Sequence, residues 1–96
     1  MAPEIREGKI YDGRQTDIFS LGVILFTMVL GNLPFELPEQ DDPYYSLILS
    51  GNIDEYWEMM EGQSLSDDFK DLVLRMLSYD PANRPTIEEV QRHPWM

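Results

Sequence analysis

The sequence predicts an all-α fold, on three observations. No segment of useful length alternates apolar and polar residues with the period of two that marks a half-buried strand. Several stretches repeat apolar residues at three- and four-residue spacing instead, as amphipathic helices do. The six glycines and seven prolines fall mostly between those stretches, as punctuation. Ninety-six residues with 43% hydrophobic content suit one small domain or part of a larger one. There is no internal repeat, low-complexity tract or obvious linker.

Residues 5 to 15 are mostly polar and contain Gly8 and Gly13, which predicts a loop. Thr16 or Asp17 then supplies a helix N-cap, an apolar run follows from Ile18 to Leu30, and Gly31 suits the position that closes the helix. Phe19, Leu21, Val23, Ile24, Leu25, Phe26, Met28, Val29 and Leu30 cover every face of it, so it is either buried in a core or crosses a membrane. The run falls short of the roughly 20 residues that a bilayer needs, which selects the core. Gly31 to Phe35 is a turn, and residues 36 to 42 form an acidic loop.

Asp42-Pro43 opens the next helix, because Asp caps and Pro fits the first helical position. It runs through Tyr44, Leu47 and Ile48 and stops at Gly51. Ile53, Tyr56, Trp57 and Met60 predict a short amphipathic helix. Ser66 starts another, with Asp67 and Asp68 at its positive end and Phe69, Leu72, Val73, Met76 and Leu77 as its stripe. Asp80-Pro81 breaks that helix. Thr86 and Glu89 have the spacing of a capping box; Ile87 and Val90 face inward from the last helix, which His93-Pro94 ends.

Eighteen acids against seven Lys and Arg give a formal charge of −11. Phosphate backbones are repelled by such a surface, which argues against nucleic-acid binding. The clustered acids read as a solvated surface, with attraction for a basic partner as the alternative. The absence of cysteine removes disulfides, thiolate metal sites and a cysteine nucleophile, and fits a reducing, intracellular, cytoplasmic setting.

Five landmarks stand in order: Ala2-Pro3-Glu4, Asp17 through Gly22, Gly31-Asn32-Leu33-Pro34-Phe35, Arg84-Pro85-Thr86, and His93-Pro94-Trp95. Together they resemble the C-terminal lobe of eukaryotic protein kinases, from the end of the activation segment to the end of the domain, across residues 1–96. Phe19 stands where that family usually has Trp. The Ser-Leu-Gly-Val-Ile-Leu helix and the His-Pro-Trp end are most similar to serine/threonine kinases near the calcium/calmodulin-dependent group. The implied fold is the helical part of the large lobe, helices F to I.

The resemblance implies that Glu4 pairs with Arg84, pinning the end of the activation segment to the helical lobe. Without it the two read as an ordinary surface pair. It implies that Asp17 accepts hydrogen bonds from the backbone of the catalytic loop, a task compatible with an N-cap. Gly22 would admit close packing against the central helix. In family members that prefer arginine-rich substrates, an acid on helix G reads an arginine; here Ser46 falls at that place, with Asp41 and Asp42 nearby. Tyr44 and Tyr45 are candidates for docking a protein, with simple packing as the alternative.

Phosphoryl transfer needs a glycine-rich cover for the nucleotide phosphates, a paired lysine, a catalytic Asp with its Asn, and a magnesium-binding Asp. None of these occurs in the 96 residues, so no catalytic, cofactor-binding or metal residue is assigned. ATP and magnesium are implied for the parent kinase alone. His93, the single histidine, has no partner in view and is assigned a structural role. Kinases often carry Met before Ala-Pro-Glu, so two expectations stand for Met1, a true start or an internal methionine taken as one, and upstream sequence separates them. The expectation is a truncated part of an ATP-dependent serine/threonine kinase, scaffolding the catalytic loop and activation segment. The alternative is a non-catalytic helical module or pseudokinase-like fragment that binds a protein. Expected partners are a protein substrate or regulator and the remainder of the kinase domain, with no nucleic acid and no membrane. The isolated chain is expected to fold weakly and not to bind ATP.

Overall fold

The computed structural model describes residues 2–9, 12–61 and 64–96. It is helical, with no strand among the described residues. In chain order the helices are α1 (Pro3–Arg6), α2 (Gly13–Leu30), α3 (Pro43–Leu49), α4 (Ile53–Met59), α5 (Asp67–Met76) and α6 (Ile87–Arg92), with a 3-10 turn at Pro81–Asn83.

The predicted stops and starts are largely met by the expected residues. Asp42 caps α3, Ser66 caps α5 by accepting from the Phe69 N–H, and Thr86 and Glu89 make both bonds of a capping box on α6. Gly31 closes α2 in the left-handed region, φ 79°, its N–H donating to the Thr27 carbonyl. Three boundaries differ. Residues 5 to 15 are not a plain loop: α1 and the start of α2 lie partly within them. Asp12, rather than Thr16 or Asp17, caps α2, its carboxylate accepting from the Arg14 N–H at 2.9 Å. Finally, α5 ends at Met76, before Asp80-Pro81, and those two residues open the 3-10 turn.

Packing centres on the crossing of α2 and α5. Phe19, Gly22 and Phe26 of α2 are buried, as are Phe69, Leu72, Val73 and Met76 of α5. A Cβ built on Gly22 would lie 2.8 Å from the Met76 Cβ, so only glycine fits there without a shift. Aromatic rings fill the space beyond: Phe35 meets Tyr45 with centroids 4.6 Å apart, and Phe26 stacks on Trp57 at 5.9 Å. Tyr45 and Tyr56 are fully buried, and their hydroxyls donate to the Leu77 and Pro34 carbonyls at 3.0 and 2.9 Å. A second cluster joins Ile18, Leu72, Met76 and Val90, with Trp95 against it. Ile87 does not join Val90 inside; at 47% exposure it faces outward.

Burial of α2 on all sides is not observed. Leu21 and Val29 are exposed, Ile24 is 54% and Met28 78% exposed. At 18 residues and mean hydropathy 1.2, α2 is also long and apolar enough to cross a membrane by length and composition, so shortness no longer excludes that role. Its packed Phe19–Gly22–Phe26 face is that of a core helix.

Candidate functional site

Pro3 sits in the first turn of α1 and fixes its start, while the buried Ala2 and Pro3 carry Glu4 inward. Arg84 approaches from the other end of the chain, held between the 3-10 turn and the α6 cap. Its Nη1 donates to Glu4 Oε2 at 2.7 Å and its Nη2 to Glu4 Oε1 at 2.8 Å, a bidentate pair. The remaining N–H groups donate to the carbonyls of Gln15 at 3.0 Å, Ser78 at 2.9 Å and Tyr79 at 3.4 Å. All five guanidinium donors are therefore used.

Two further contacts complete the cluster. The Thr16 hydroxyl donates to Glu4 Oε2 at 2.9 Å, and the Phe19 ring lies 4.8 Å from the guanidinium carbon. Phe19 thus offers the cation an aromatic face. Glu4 is 4% and Arg84 6% exposed. Burial opposes ionisation of Glu4, but the bonds from Arg84, the backbone and Thr16 outweigh it and hold the carboxyl below its usual range.

Asp42 is a second buried carboxylate, and its role is wider than a cap. Oδ1 accepts from the Tyr44 and Tyr45 N–H groups, and Oδ2 from those of Glu36 and Leu37, all at 2.9 to 3.0 Å. Burial again opposes ionisation, and the four backbone N–H groups overcome it, so its pKa is lowered. Asp42 is therefore not available to read a substrate arginine in place of Ser46. Arg6 pairs with Glu39, tying α1 to the same acidic loop.

The other sequence-selected residues lie apart. Asp17 is exposed on the first turns of α2. Tyr44 is half-buried on α3, whereas Tyr45 is wholly inside and presents no surface for docking. His93 does have a partner: Asp71 Oδ2 lies 2.8 Å from its Nε2, while its Nδ1 accepts from the Trp95 N–H at 3.1 Å, which places the ring proton on Nε2. Asp71 also accepts from Arg75, and His93 first, with Arg75, lowers its pKa against burial. Among the described residues no three His, Asp or Glu side chains group to hold a metal ion.

A family model described as the protein kinase domain matches residues 1–96. The chain is 42% identical over 95 residues to serine/threonine-protein kinase SIK1 of Rattus norvegicus, covering 99% of this chain and 11% of that protein. It is 39% identical over 95 residues to an SNF-related serine/threonine-protein kinase of Homo sapiens, covering 99% of the chain and 12% of the relative. It is also 39% identical over 100 residues to human serine/threonine-protein kinase DCLK3, with 100% and 14% covered. The chain spans about a tenth of the length of the first curated relatives it matches.

Proposed function

Because this chain belongs to the protein kinase domain family, we propose that it is the C-terminal portion of a serine/threonine kinase catalytic domain, from Ala2-Pro3-Glu4 onward, which braces the phosphotransferase site without forming it. The observation that carries this reading is the saturated Glu4–Arg84 clamp, which ties α1 to the segment between the 3-10 turn and α6. By resemblance to the family, that clamp holds the end of the activation segment. Asp17, exposed at the start of α2, accepts backbone N–H groups of the catalytic loop.

In the parent enzyme ATP supplies the phosphoryl group and magnesium neutralises its developing charge. The residues here fit neither, since the described acids form no metal-ligating group and Arg84 has no donor to spare. The bare face of α2, with Leu21, Ile24 and Met28, packs against the remainder of the kinase domain. The parent acts inside the cell, in the cytoplasm, on a protein substrate.

The test uses the longer protein that carries the chain. Glu4→Gln should lower its kcat for a peptide substrate by at least about tenfold, with KM for ATP little changed. Undiminished turnover would refute the bracing role. The isolated 96 residues should show no saturable ATP binding, and micromolar affinity would overturn the division of labour.

A second reading draws on the same exposed α2 face: a non-catalytic helical module whose apolar patch binds a protein partner, such as an intact kinase. A reading frame that continues before Met1 into the glycine-rich, catalytic and magnesium-binding loops would eliminate it.

A further inference from the structure

Two threonines of α2 use their hydroxyls differently. Thr27 bonds within its own helix, its hydroxyl donating to the Val23 carbonyl four residues back at 2.8 Å, as helical threonines commonly do. Thr16 stands in the same relation to Asp12, whose carbonyl accepts the Thr16 N–H at 3.1 Å. Yet the Thr16 hydroxyl leaves the helix and donates to Glu4 Oε2 at 2.9 Å. Thr16 is 7% exposed, which keeps bulk water from that bond. The neighbouring Gln15 carbonyl accepts from Arg84 Nη1 at 3.0 Å. Two successive residues near the start of α2 are thereby fastened to the two halves of the clamp.

We propose that Thr16 is a positioning residue for phosphoryl transfer: its hydroxyl locks the start of α2 to the Glu4 carboxylate and so fixes where the adjacent Asp17 meets the catalytic loop. This rests on the reading of the chain as the bracing part of a kinase domain. Thr16 is buried and Asp17 exposed, as expected of successive helical residues that point about 100° apart. A rotation of this turn about the helix axis, or a slide along it, moves both residues together. Little else on the turn restrains it from the side. Gly13 has no side chain and nothing within 4 Å of where its Cβ would be, and Arg14 is exposed. The Asp12 cap holds the backbone end of the turn, and the clamp holds its flank.

The hydroxyl, rather than the bulk of Thr16, supplies this restraint. Arg84 grips both oxygens of Glu4, so Thr16 bonds to a fixed point and not to a swinging side chain. A bond to an ionised carboxylate is also roughly twice as strong as a neutral one. Valine keeps the β-branched shape but lacks the donor, and it leaves both Arg84 bonds to Glu4 in place. Its introduction therefore loosens the turn without stranding a buried charge. Catalytic geometry has a narrow tolerance, since a misplacement of about 1 Å can cost on the order of 100-fold in rate.

The experiment measures peptide phosphorylation by the longer protein that carries this chain. Thr16→Val should lower kcat at least about fivefold, with KM for ATP and for peptide within about twofold of wild type. Thr16→Ala, a second variant without the hydroxyl, should show a loss at least as large. Thr16→Ser keeps the donor and should recover most of the turnover. On a Glu4→Gln background the loss from Thr16→Val should shrink by at least about half, because the acceptor there is neutral. Thr27→Val, which removes a hydroxyl elsewhere on α2, should change kcat by less than about twofold. Undiminished turnover in Thr16→Val and Thr16→Ala, beside a loss in Glu4→Gln, would overturn the role of Thr16 and leave the bracing reading standing. Undiminished turnover in Glu4→Gln would remove both. No recovery in Thr16→Ser, an undiminished loss on the Glu4→Gln background, or a loss carried by KM would each overturn the proposal. Melts followed by circular dichroism accompany the rates, and a kcat that simply tracks Tm across the variants would reduce Thr16 to a stabilising residue and overturn it too.

Discussion

Arg84 reaches across 80 positions of chain to hold both oxygens of Glu4, at 2.7 and 2.8 Å, and Thr16 shares one of them. The pair is buried, so breaking it strands a charge. Arg84→Ala should destabilise the fold by about 3–5 kcal/mol. Glu4→Gln should cost less, because the amide oxygen still accepts. A denaturation cycle with both substitutions should show strong non-additivity; simple addition of the two losses would mean that the contact contributes nothing specific.

Acid and alkali should each weaken the fold for separate reasons. Glu4 and Asp42 have lowered pKa values in the folded chain. Their contribution is present above the unfolded carboxylate values of about 4 and is lost as pH falls through the lower folded ones. Tyr45 and Tyr56 are shifted the other way, because burial disfavours phenolate. Stability they support is complete below the unfolded value of about 10 and drains away as pH climbs beyond it. Midpoints of urea unfolding across pH should form a plateau with both shoulders. A midpoint that stays flat from pH 5 down to pH 2 would contradict the carboxylate assignment.

Gly22→Ala should be harmful despite the better helix propensity of alanine. Propensity favours it by about 1 kcal/mol, while overpacking against the Met76 Cβ costs about 1–3 kcal/mol. Gly13→Ala serves as the contrast, since nothing lies within 4 Å of a Cβ there. A lower Tm for the first and an equal or higher Tm for the second are expected.

Glu61→Gly should raise stability by a few tenths to about 1 kcal/mol, because a non-glycine residue in the left-handed region is strained. The gain would appear in the Tm. A fall would show that the carboxylate has stabilising contacts that outweigh its backbone.

The bare face of α2 should make the isolated chain bind a hydrophobic dye and self-associate. Ile24→Glu together with Met28→Lys should reduce both while leaving helix content unchanged, since the two side chains are outside the core. A monomeric wild-type chain with a sharp melt and no dye binding would count against this.

Local chemistry made most of the fold legible. Asp42-Pro43, Ser66 and the Thr86–Glu89 box act within a few residues of themselves, and each capped its helix. Asp12 was hidden because two nearby glycines made its segment read as loop, although Gly13 is tolerated in a first helical turn. Periodicity says which residues are apolar, but not which neighbours exist, so it overstated the burial of α2 and of Ile87. Long-range pairs were the least visible. Resemblance, rather than spacing, pointed to Glu4 with Arg84; the bonds of Asp42 to the Glu36 and Leu37 N–H groups and of His93 to Asp71 left no local pattern.

An ion pair that closes so long a loop also has a place in time. Loop-closure entropy must be met before such a contact can reward it, and the packing of α2 against the 3-10 turn beside Arg84 shortens the loop that is left to close. The clamp is expected to form after the folding barrier, so that Arg84→Ala speeds unfolding far more than it slows folding and the intact pair prolongs the lifetime of the native state.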